Sequence, residues 1–256
     1  MKKYIFTILA AFLTVFAVSC QKTSADQTKI ASYFQMLGAS AMYLGVGDEF
    51  VDPGFVELEG GGKVTTTIYD ASNKEVSSIS TEEPTFYTIV YSTTNDQGFY
   101  FEKARNVYIY DATITESLAG TFVVNGEESL YKDGHSFGEY AASYADKGRT
   151  TTDAPEITFT QVAGNIYYCN DLLGGWYTWI QGRGGLGYGS TAFDMTGYVI
   201  LNADMTVNHL SSLHNYWSDS LDDIQNGVYD PATKTLSYLW IYAGGQVAAF
   251  VKMKKK

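Results

Sequence analysis

The chain has 256 residues, of which 15% are aromatic and 18% are charged, and it contains 21 tyrosines but only 4 prolines. Tyrosine and β-branched residues favour strands because they pack well on a pleated surface, so this composition predicts a folded, β-rich protein and excludes a disordered chain. The net charge of -11 excludes nucleic acid as a partner, because affinity for a phosphate backbone depends on lysine and arginine.

The N-terminus has the parts of a secretory signal. Two lysines precede an apolar run of 15 residues from Tyr4 to Val18, shorter than the ~20 residues of a spanning helix, and small residues then lead to Cys20. This end resembles the bacterial lipobox, although Ala17 stands where leucine is usual. The resemblance implies a signal peptide over residues 1–19 and a lipid on Cys20 that anchors the chain to the membrane. A plain signal peptide with an incidental cysteine is the alternative.

Residues 20–36 are polar and aperiodic after the cysteine, and we predict that they form a tether. Surface-exported lipoproteins of gut Bacteroidetes often carry several acids just after the cysteine, whereas here only Asp26 is near it. From the lipobox-like end we still expect an outer membrane lipoprotein exposed at the cell surface, with the choice between inner and outer membrane left open. If Cys20 carries lipid, Cys169 has no disulfide partner and is expected in an apolar core.

Residues 37–112 have the pattern of a first β domain. The predicted strands are Lys63–Tyr69, Thr85–Thr94 and Lys103–Asp111. In the second of these, Tyr87, Ile89 and Tyr91 alternate on one face. Together with the turns Gly47–Gly54 and Asn95–Gly98, these strands resemble the immunoglobulin-like domains repeated in bacterial surface proteins. The resemblance implies a β-sandwich that serves as a spacer or adhesion module and carries no catalytic residues.

Residues 113–256 have the pattern of a second β unit, in which no segment shows sustained helical periodicity. A connection rich in glycine, tyrosine and charge runs from Gly126 to about Ala154. We predict strands in LAGTFVVNG (118–126), EITFTQV (156–162), NIYYCND (165–171), WYTWIQG (176–182), TGYVILN (196–202), GVYD (227–230), TLSYLWIYA (235–243) and QVAAFVKMK (246–254). Short strands joined by short turns predict an antiparallel barrel or a sandwich.

Three motifs of this half resemble the lipocalin-like C-terminal domain of two-domain Bacteroidetes lipoproteins. They are Leu118–Phe122, Ile166–Tyr177 and the hairpin Tyr229–Leu236. The fold prediction is therefore an all-β chain in which an immunoglobulin-like β-sandwich precedes an antiparallel lipocalin-like β-barrel. The resemblance implies a cell-surface role, suspected to be related to carbohydrate, and no defined activity.

A glycine motif at Gly182–Gly187 fits the G-x-G-x-x-G fingerprint of dinucleotide sites. That fingerprint needs a helix after the glycines, to present backbone N–H groups to phosphate. The following residues instead contain the apolar strand Val199–Leu201. We interpret the motif as a chance match whose glycines let a strand bend, and we expect no cofactor.

Six aromatic residues are the candidate ligand-binding set: Trp176, Tyr177, Trp179, Tyr188, Tyr216 and Trp217. Aromatic faces suit the C–H faces of sugars, and tyrosine and tryptophan add a polar group. The alternative is that these rings fill the barrel. Trp176 and Trp179 are three residues apart, so on a regular strand they face opposite sides and at least one belongs to the core.

The titratable residues do not form a recognisable metal or catalytic site. His135, His209 and His214 lack the ligand spacing of a metal site, and we expect solvated loop residues and no metal. The adjacent acids Glu82-Glu83, Glu127-Glu128 and Asp222-Asp223 are expected on a solvated surface, because glycosidase carboxylates must face each other across a cleft.

The leading prediction is a non-enzymatic surface protein that binds a ligand, with a glycan as the candidate. A structural or assembly component that docks a surface protein partner through tyrosine-rich faces is the alternative. A hydrolase that uses Asp222 or Asp223 is a third hypothesis.

Overall fold

A computed structural model of the chain describes residues 34–58, 62–95, 98–145, 154–183 and 191–256. The predicted signal peptide, Cys20 and most of the tether lie outside the described residues, whereas residues 34–36, at the end of the predicted tether, form a strand. None of the helices in the described ranges has the length and apolar character needed to cross a membrane.

By its contacts the chain divides into two compact units. Among the described residues, the smaller unit contains Phe34–Gly38 and those within Pro53–Thr66 and Tyr91–Lys103. The larger unit contains Ala39–Asp52, Thr67–Val90 and Ala104–Lys256. Every residue of the candidate site described below belongs to the larger unit.

The immunoglobulin-like half contains the strands β1 (Phe34–Met36), β2 (Ala41–Gly45), β3 (Phe55–Glu57), β4 (Thr65–Asp70), β5 (Glu75–Val76), β6 (Thr85–Thr94) and β7 (Tyr100–Tyr110). Within the described residues, β1 pairs with β3, and the other strands form a sheet in the order β2-β7-β6-β4-β5. β2 and β7 are parallel, from Ala41 beside Asn106 to Gly45 beside Tyr110. The predicted alternation on β6 is confirmed, because Tyr87, Ile89 and Tyr91 are all buried.

The C-terminal half contains the strands β8 (Gly120–Val124), β9 (Leu130–Tyr131), β10 (Glu156–Ala163), β11 (Ile166–Cys169), β12 (Met195–Leu201), β13 (Val207–His214), β14 (Asp223–Asp230), β15 (Thr235–Tyr242) and β16 (Val247–Lys255). They form one antiparallel sheet in the order β13-β12-β11-β10-β8-β16-β15-β14, with β9 paired to β16. This arrangement confirms the predicted all-β fold.

The two ends of this sheet meet and nearly close it into a barrel. Thr206, just before β13, bridges to Val228 on β14, and the N–H of Tyr229 donates to the carbonyl of Met205 at 2.9 Å. The backbones approach closely here: a Cβ on Gly227 would lie 2.1 Å from the carbonyl oxygen of Val207. A glycine is therefore required where the sheet closes on itself.

The barrel interior is apolar, and its core includes Phe122, Phe159, Tyr167, Cys169, Met195, Tyr238, Trp240 and Val251. The prediction for Cys169 is confirmed: the thiol is free, fully buried and part of this core. Burial raises the pKa of Cys169 well above its ordinary value, because a thiolate loses its hydration there.

Two helical segments correct the sequence prediction. The connection after Gly126 contains a helix, α1 (Phe137–Ala145). Ser136 and Glu139 form a capping box at its start: the Glu139 N–H donates to Ser136 Oγ at 3.1 Å, and the Ser136 N–H donates to Glu139 Oε2 at 2.7 Å. The segment predicted as the strand WYTWIQG is instead a π-helix over Trp176–Ile180. The Ser-x-x-Glu spacing is the sequence signal that could have located α1.

Candidate ligand-binding site

A buried carboxylate positions the chain that leads into the π-helix. Asp171, just after β11, accepts the N–H groups of Leu173 at 3.0 Å, Gly175 at 2.8 Å and Met195 at 3.1 Å. Burial raises the pKa of Asp171 to about 7, and the nearby Asp194 carboxylate contributes to the rise. Asp171 thus ties the start of β12 to the turn that precedes the π-helix.

The π-helix follows from the glycine at that turn. Gly175 has φ 79°, and a Cβ there would lie 2.5 Å from the Cβ of Pro155, so no other residue fits without movement. The N–H of Ile180 then donates to the carbonyl of Gly175, and the N–H of Gln181 to that of Trp176, both at 2.9 Å. These i to i−5 bonds widen the turn and set the directions of its side chains.

The π-helix divides the predicted aromatic set. Trp176 is 2% exposed and belongs to the core, whereas Trp179 is 39% exposed. The expectation that the two indoles differ in burial is correct, but its reason is wrong, because a π-helix rather than a strand separates them. Tyr188 and the glycines from Gly184 to Gly187 lie outside the described residues.

Three other members of the predicted set do come together. We use the name aromatic cluster for Tyr177, Phe193, His214, Tyr216 and Trp217. Trp217 lies 5.1 Å from Tyr177, 5.7 Å from Phe193 and 4.2 Å from His214 between ring centroids. Tyr216 stacks on Phe193 at 4.8 Å. The π-helix, the chain before β12 and the end of β13 each contribute rings, so the cluster exists only in the folded chain.

The outer rings of the aromatic cluster are accessible. Tyr216 is 50% exposed and Trp217 is 40% exposed, while Tyr177 and Phe193 beneath them are buried. The exposed rings are therefore supported from below by other rings and retain surface for contact with a ligand.

His214 fixes the turn that carries these two rings. It is fully buried at the end of β13, and its Nδ1 accepts the N–H of Tyr216 at 3.1 Å and of Trp217 at 3.2 Å. Burial lowers the pKa of His214 to about 4, so the ring is neutral at physiological pH and can act as this acceptor. The expectation of a solvated loop histidine is wrong for His214, because β13, which was not predicted, carries it into the interior.

The other two histidines differ from each other. His135 is exposed, as predicted. His209 lies on β13 and is half-buried, so the expectation of a loop residue is wrong for it as well. Burial lowers the pKa of His209, and its Nε2 has no hydrogen-bond partner among the described residues.

Arg183 lies against the aromatic cluster. Its Cζ atom is 5.2 Å from the ring centroid of Tyr177, 5.5 Å from that of Phe193 and 5.8 Å from that of Trp217. Its Nε donates to Gln181 Oε1 at 2.8 Å. A guanidinium is thus held on a surface of aromatic rings.

A polar cleft of about 580 Å³ is lined in part by residues from the segment 209–222, which also carries the exposed rings of Tyr216 and Trp217. From this segment the cleft takes Ser211, Ser212, Ser218, Asp219, Ser220 and Asp222, and His209 also lines it. Hydroxyl groups and carboxylates predominate on this side. Such a surface can exchange hydrogen bonds with a ligand that carries many hydroxyl groups.

The carboxylates of this region already have protein partners. Both oxygens of Asp219 accept from the Tyr242 hydroxyl, at 2.8 and 2.7 Å, and Asp222 Oδ2 accepts from the Gly245 N–H at 3.0 Å. The predicted exposure of the acidic pairs, including Asp222-Asp223, is confirmed. In the described part of the chain, no group of three or more His, Cys, Asp or Glu side chains could hold a metal ion.

Phe193, His214 and Arg183 were not predicted from the sequence as parts of this site. Phe193 stands in a segment that gave no strand signal, and Arg183 stands inside the glycine motif, whose pattern depends on the glycines alone. No local pattern links these residues to Trp217, because the fold alone brings them together.

Comparison with known proteins defines first the class of this protein. Residues 34–109 match the family model of the bacterial surface protein Ig-like domain, which confirms the predicted N-terminal domain type. Residues 111–255 match a second family model, which is described as a C-terminal domain. This second match spans more than half of the 256 residues, and the chain belongs to that C-terminal domain family.

Among solved structures, the crystal structure of the lipoprotein BT2262 from Bacteroides thetaiotaomicron matches with 29% sequence identity. The match covers 87% of this chain and 98% of the other chain, with a TM-score of 0.41. No curated protein matches the chain.

Proposed function

We propose that this protein is a non-enzymatic, glycan-binding lipoprotein of the bacterial cell surface. The observation that carries the proposal is the position of the exposed Tyr216 and Trp217 rings on the same segment that lines the polar cleft. A sugar has both apolar C–H faces and polar hydroxyl edges, and this segment offers a surface for each.

The rings are suited to stacking because their positions are already fixed. Phe193 supports Tyr216 from one side, and His214 holds the backbone of both exposed aromatic residues. A ligand that stacks on Trp217 therefore loses little free energy in ordering the site. The serine hydroxyls of the cleft can then bond the hydroxyl edge of the same ligand or its bound waters.

Binding without chemistry is favoured by the state of the carboxylates. Asp219 and Asp222 accept hydrogen bonds from Tyr242 and Gly245, and these bonds position loops of the barrel. A general acid or base needs its carboxyl group within reach of the bond that is cleaved, and these groups are already used in structure. The third hypothesis, hydrolysis through Asp222 or Asp223, is therefore less well supported.

The proposed location at the cell surface is supported by two independent features. The N-terminal residues have the lipobox-like end at Cys20, and residues 34–109 belong to a domain type described in bacterial surface proteins. We propose that lipid on Cys20 holds the protein to the outer membrane. Mass spectrometry of the protein purified from membranes tests this, since an unmodified Cys20 contradicts lipid attachment.

The test of glycan binding is calorimetry of the full-length, detergent-solubilised protein with a panel of bacterial, plant and host polysaccharides. We expect Trp217→Ala to weaken binding at least about tenfold, which is about 1.4 kcal/mol. Trp179→Ala is the matched control, because its indole is 39% exposed against 40% for Trp217 and makes no ring contact with the aromatic cluster in the described residues. Equal effects of the two substitutions, or no binding to any polysaccharide, contradict the proposal.

A second candidate function is an assembly component that docks another surface protein. The observation that favours it lies in the smaller unit, where large apolar side chains are exposed: Leu37, Val56, Leu58, Phe99 and Tyr100. Exposed apolar side chains that form a contiguous patch are typical of protein interaction surfaces. Crosslinking in intact cells tests it: a specific partner must be lost in a Phe99→Ser, Tyr100→Ser variant and retained in Trp217→Ala.

A further inference from the structure

We propose that the aromatic cluster selects acidic sugars, because Arg183 presents the outer edge of its guanidinium group as a carboxylate-binding group beside the exposed rings. This inference rests on the proposed glycan-binding function and adds the chemical class of the glycan, namely sugars that carry a carboxylate, such as uronic acids.

Arg183 is held in place by the rings. Its Cζ atom lies within 5.8 Å of the centroids of Tyr177, Phe193 and Trp217. A guanidinium group is weakly hydrated and stacks on aromatic faces, whereas a lysine ammonium would favour water. Contacts with several rings restrict the long side chain, so a ligand meets a group that is already ordered.

Two nitrogens of the Arg183 guanidinium group remain for a ligand. Nε donates to Gln181 Oε1 at 2.8 Å, and Gln181 is itself buried at the end of the π-helix. Its N–H donates to the carbonyl of Trp176 at 2.9 Å, which fixes its backbone. The contact with Gln181 uses the inner donor of the guanidinium and leaves the two terminal nitrogens, a planar pair that matches the two oxygens of a carboxylate.

Arg183 also differs from two other cations of the chain in its charge partners. Among the described residues, Arg183 forms no ion pair, whereas Lys252 and Lys256 pair with Glu128 and Glu156. The chain has 28 acidic and 17 basic residues. In such a chain Arg183 is unusual, because it contacts aromatic rings and forms no ion pair with a carboxylate among the described residues. The net charge of -11 repels anions at a distance, and selection of an acidic sugar must therefore come from this contact.

The expected gain in affinity is that of a charge-assisted, bidentate hydrogen bond between the guanidinium group and a carboxylate. Bonds to charged groups contribute about 1.5–3 kcal/mol, which corresponds to roughly tenfold to a hundredfold in affinity. The aromatic cluster alone would bind the neutral and the acidic form of one sugar equally. The ratio of the two affinities therefore reports on Arg183 and not on the stacking rings.

The experiment measures this ratio by calorimetry with the full-length protein in detergent. The probes are oligosaccharides of galacturonate, of alginate and of hyaluronan, each paired with its carboxyl-reduced neutral counterpart. For at least one pair, we expect the acidic member to bind at least tenfold more tightly. Arg183→Gln should bring the ratio to about one, and Arg183→Lys should leave it reduced, because lysine keeps the charge but loses the planar pair of donors. Lys254→Gln, which removes an exposed charge on β16, is the matched control and should change nothing.

The outcomes separate this inference from the function on which it rests. Two results overturn the role of Arg183: neutral members that bind as tightly as acidic ones, or an acidic preference that survives Arg183→Gln. In either case the proposal of glycan binding still stands if Trp217→Ala abolishes binding. Failure of every acidic and neutral oligosaccharide in these pairs and in the wider panel overturns both. Near-ultraviolet circular dichroism of each variant checks that the aromatic cluster has kept its packing.

Discussion

The indole of Trp176 lies flat on the phenol ring of Tyr131, with 4.4 Å between the ring centroids and 4° between the ring planes. Phe137 and Tyr140 of α1 contact the same indole at 5.1 and 5.0 Å. One residue of the predicted ligand set therefore joins the π-helix to β9 and α1. Its role in this protein is packing, and the proposed ligand contacts lie instead on Tyr216 and Trp217, which follow β13.

Replacement of Trp176 by alanine is expected to destabilise the fold by about 3–5 kcal/mol, because the indole is buried and its removal leaves a cavity among other rings. Trp179→Ala should change the free energy of unfolding by less than about 0.5 kcal/mol, since that side chain is exposed. Urea denaturation followed by far-ultraviolet circular dichroism measures both. Similar losses in the two variants would show that the π-helix does not divide core from surface.

The buried carboxyl of Asp171 should make stability depend on pH. Its pKa is raised to about 7, mainly by burial, so the folded protein retains a proton that the unfolded chain loses near pH 4. The stabilising contribution is complete below about pH 4 and is lost as the pH rises to about 7, a total of about 4 kcal/mol at about 1.4 kcal/mol per pH unit. Asp171→Asn, which cannot titrate, should remove this slope.

The measurement for Asp171 is a series of urea titrations of both proteins between pH 4 and pH 8. Asp194 shares the buried environment, and its pKa is also raised by burial, so Asp194→Asn shows how far the proton belongs to the pair. Parallel curves for wild type and Asp171→Asn would contradict a raised pKa at this carboxyl.

His214 should change stability with pH in the opposite direction to Asp171, over nearly the same pH range. Its pKa is lowered to about 4, mainly by burial. Between about pH 6.5 and pH 4, this histidine is therefore protonated in the unfolded chain and neutral in the folded protein. Stability from this group is complete above pH 6.5 and falls by about 3 kcal/mol as the pH falls to 4. His214→Asn keeps an acceptor for the N–H groups of Tyr216 and Trp217 but does not titrate, so its curve should lack this fall. If the free energy of unfolding of His214→Asn falls between about pH 6.5 and pH 4 as much as that of the wild type, the imidazole does not cause the loss of stability in acid.

Gly227→Ala should open the closure of the barrel. A Cβ at this position would lie 2.1 Å from the carbonyl oxygen of Val207, so β13 and β14 must separate, at a cost of about 1–3 kcal/mol or more. Thermal unfolding should show a lower midpoint, and hydrogen exchange should show faster exchange of the Tyr229 amide, whose bond to Met205 spans the closure. Gly126→Ala is the control, because the nearest atom to its Cβ is 3.5 Å away. A Tyr229 amide protected equally in both variants would mean that the sheet closes elsewhere.

The sequence predicted much of the fold, because strand signals are local. Thr85–Thr94 is a strand over the predicted residues, and most segments predicted in the C-terminal half contain an observed strand. The failures came where local signals were weak or shared. β13 was missed because its polar residues, such as Asn208 and Ser211, do not alternate clearly with apolar ones. The segment from Trp176 was predicted as a strand because its residue types favour strands, whereas Gly175 sets a left-handed turn that leads into the π-helix.

The sequence by itself determined that this chain is β-rich, acidic and built of an immunoglobulin-like part followed by a larger antiparallel part. Composition and alternation report on which face of a strand is buried, and that information is local. Only the tertiary structure decided which aromatic residues form a surface. Trp176 and Tyr177 are neighbours in sequence, yet one packs on Tyr131 and the other on Trp217. The reason is that the pairing of distant strands and the π-helix bring Arg183, Phe193 and Trp217 to one place, and the chain carries no local mark of that contact.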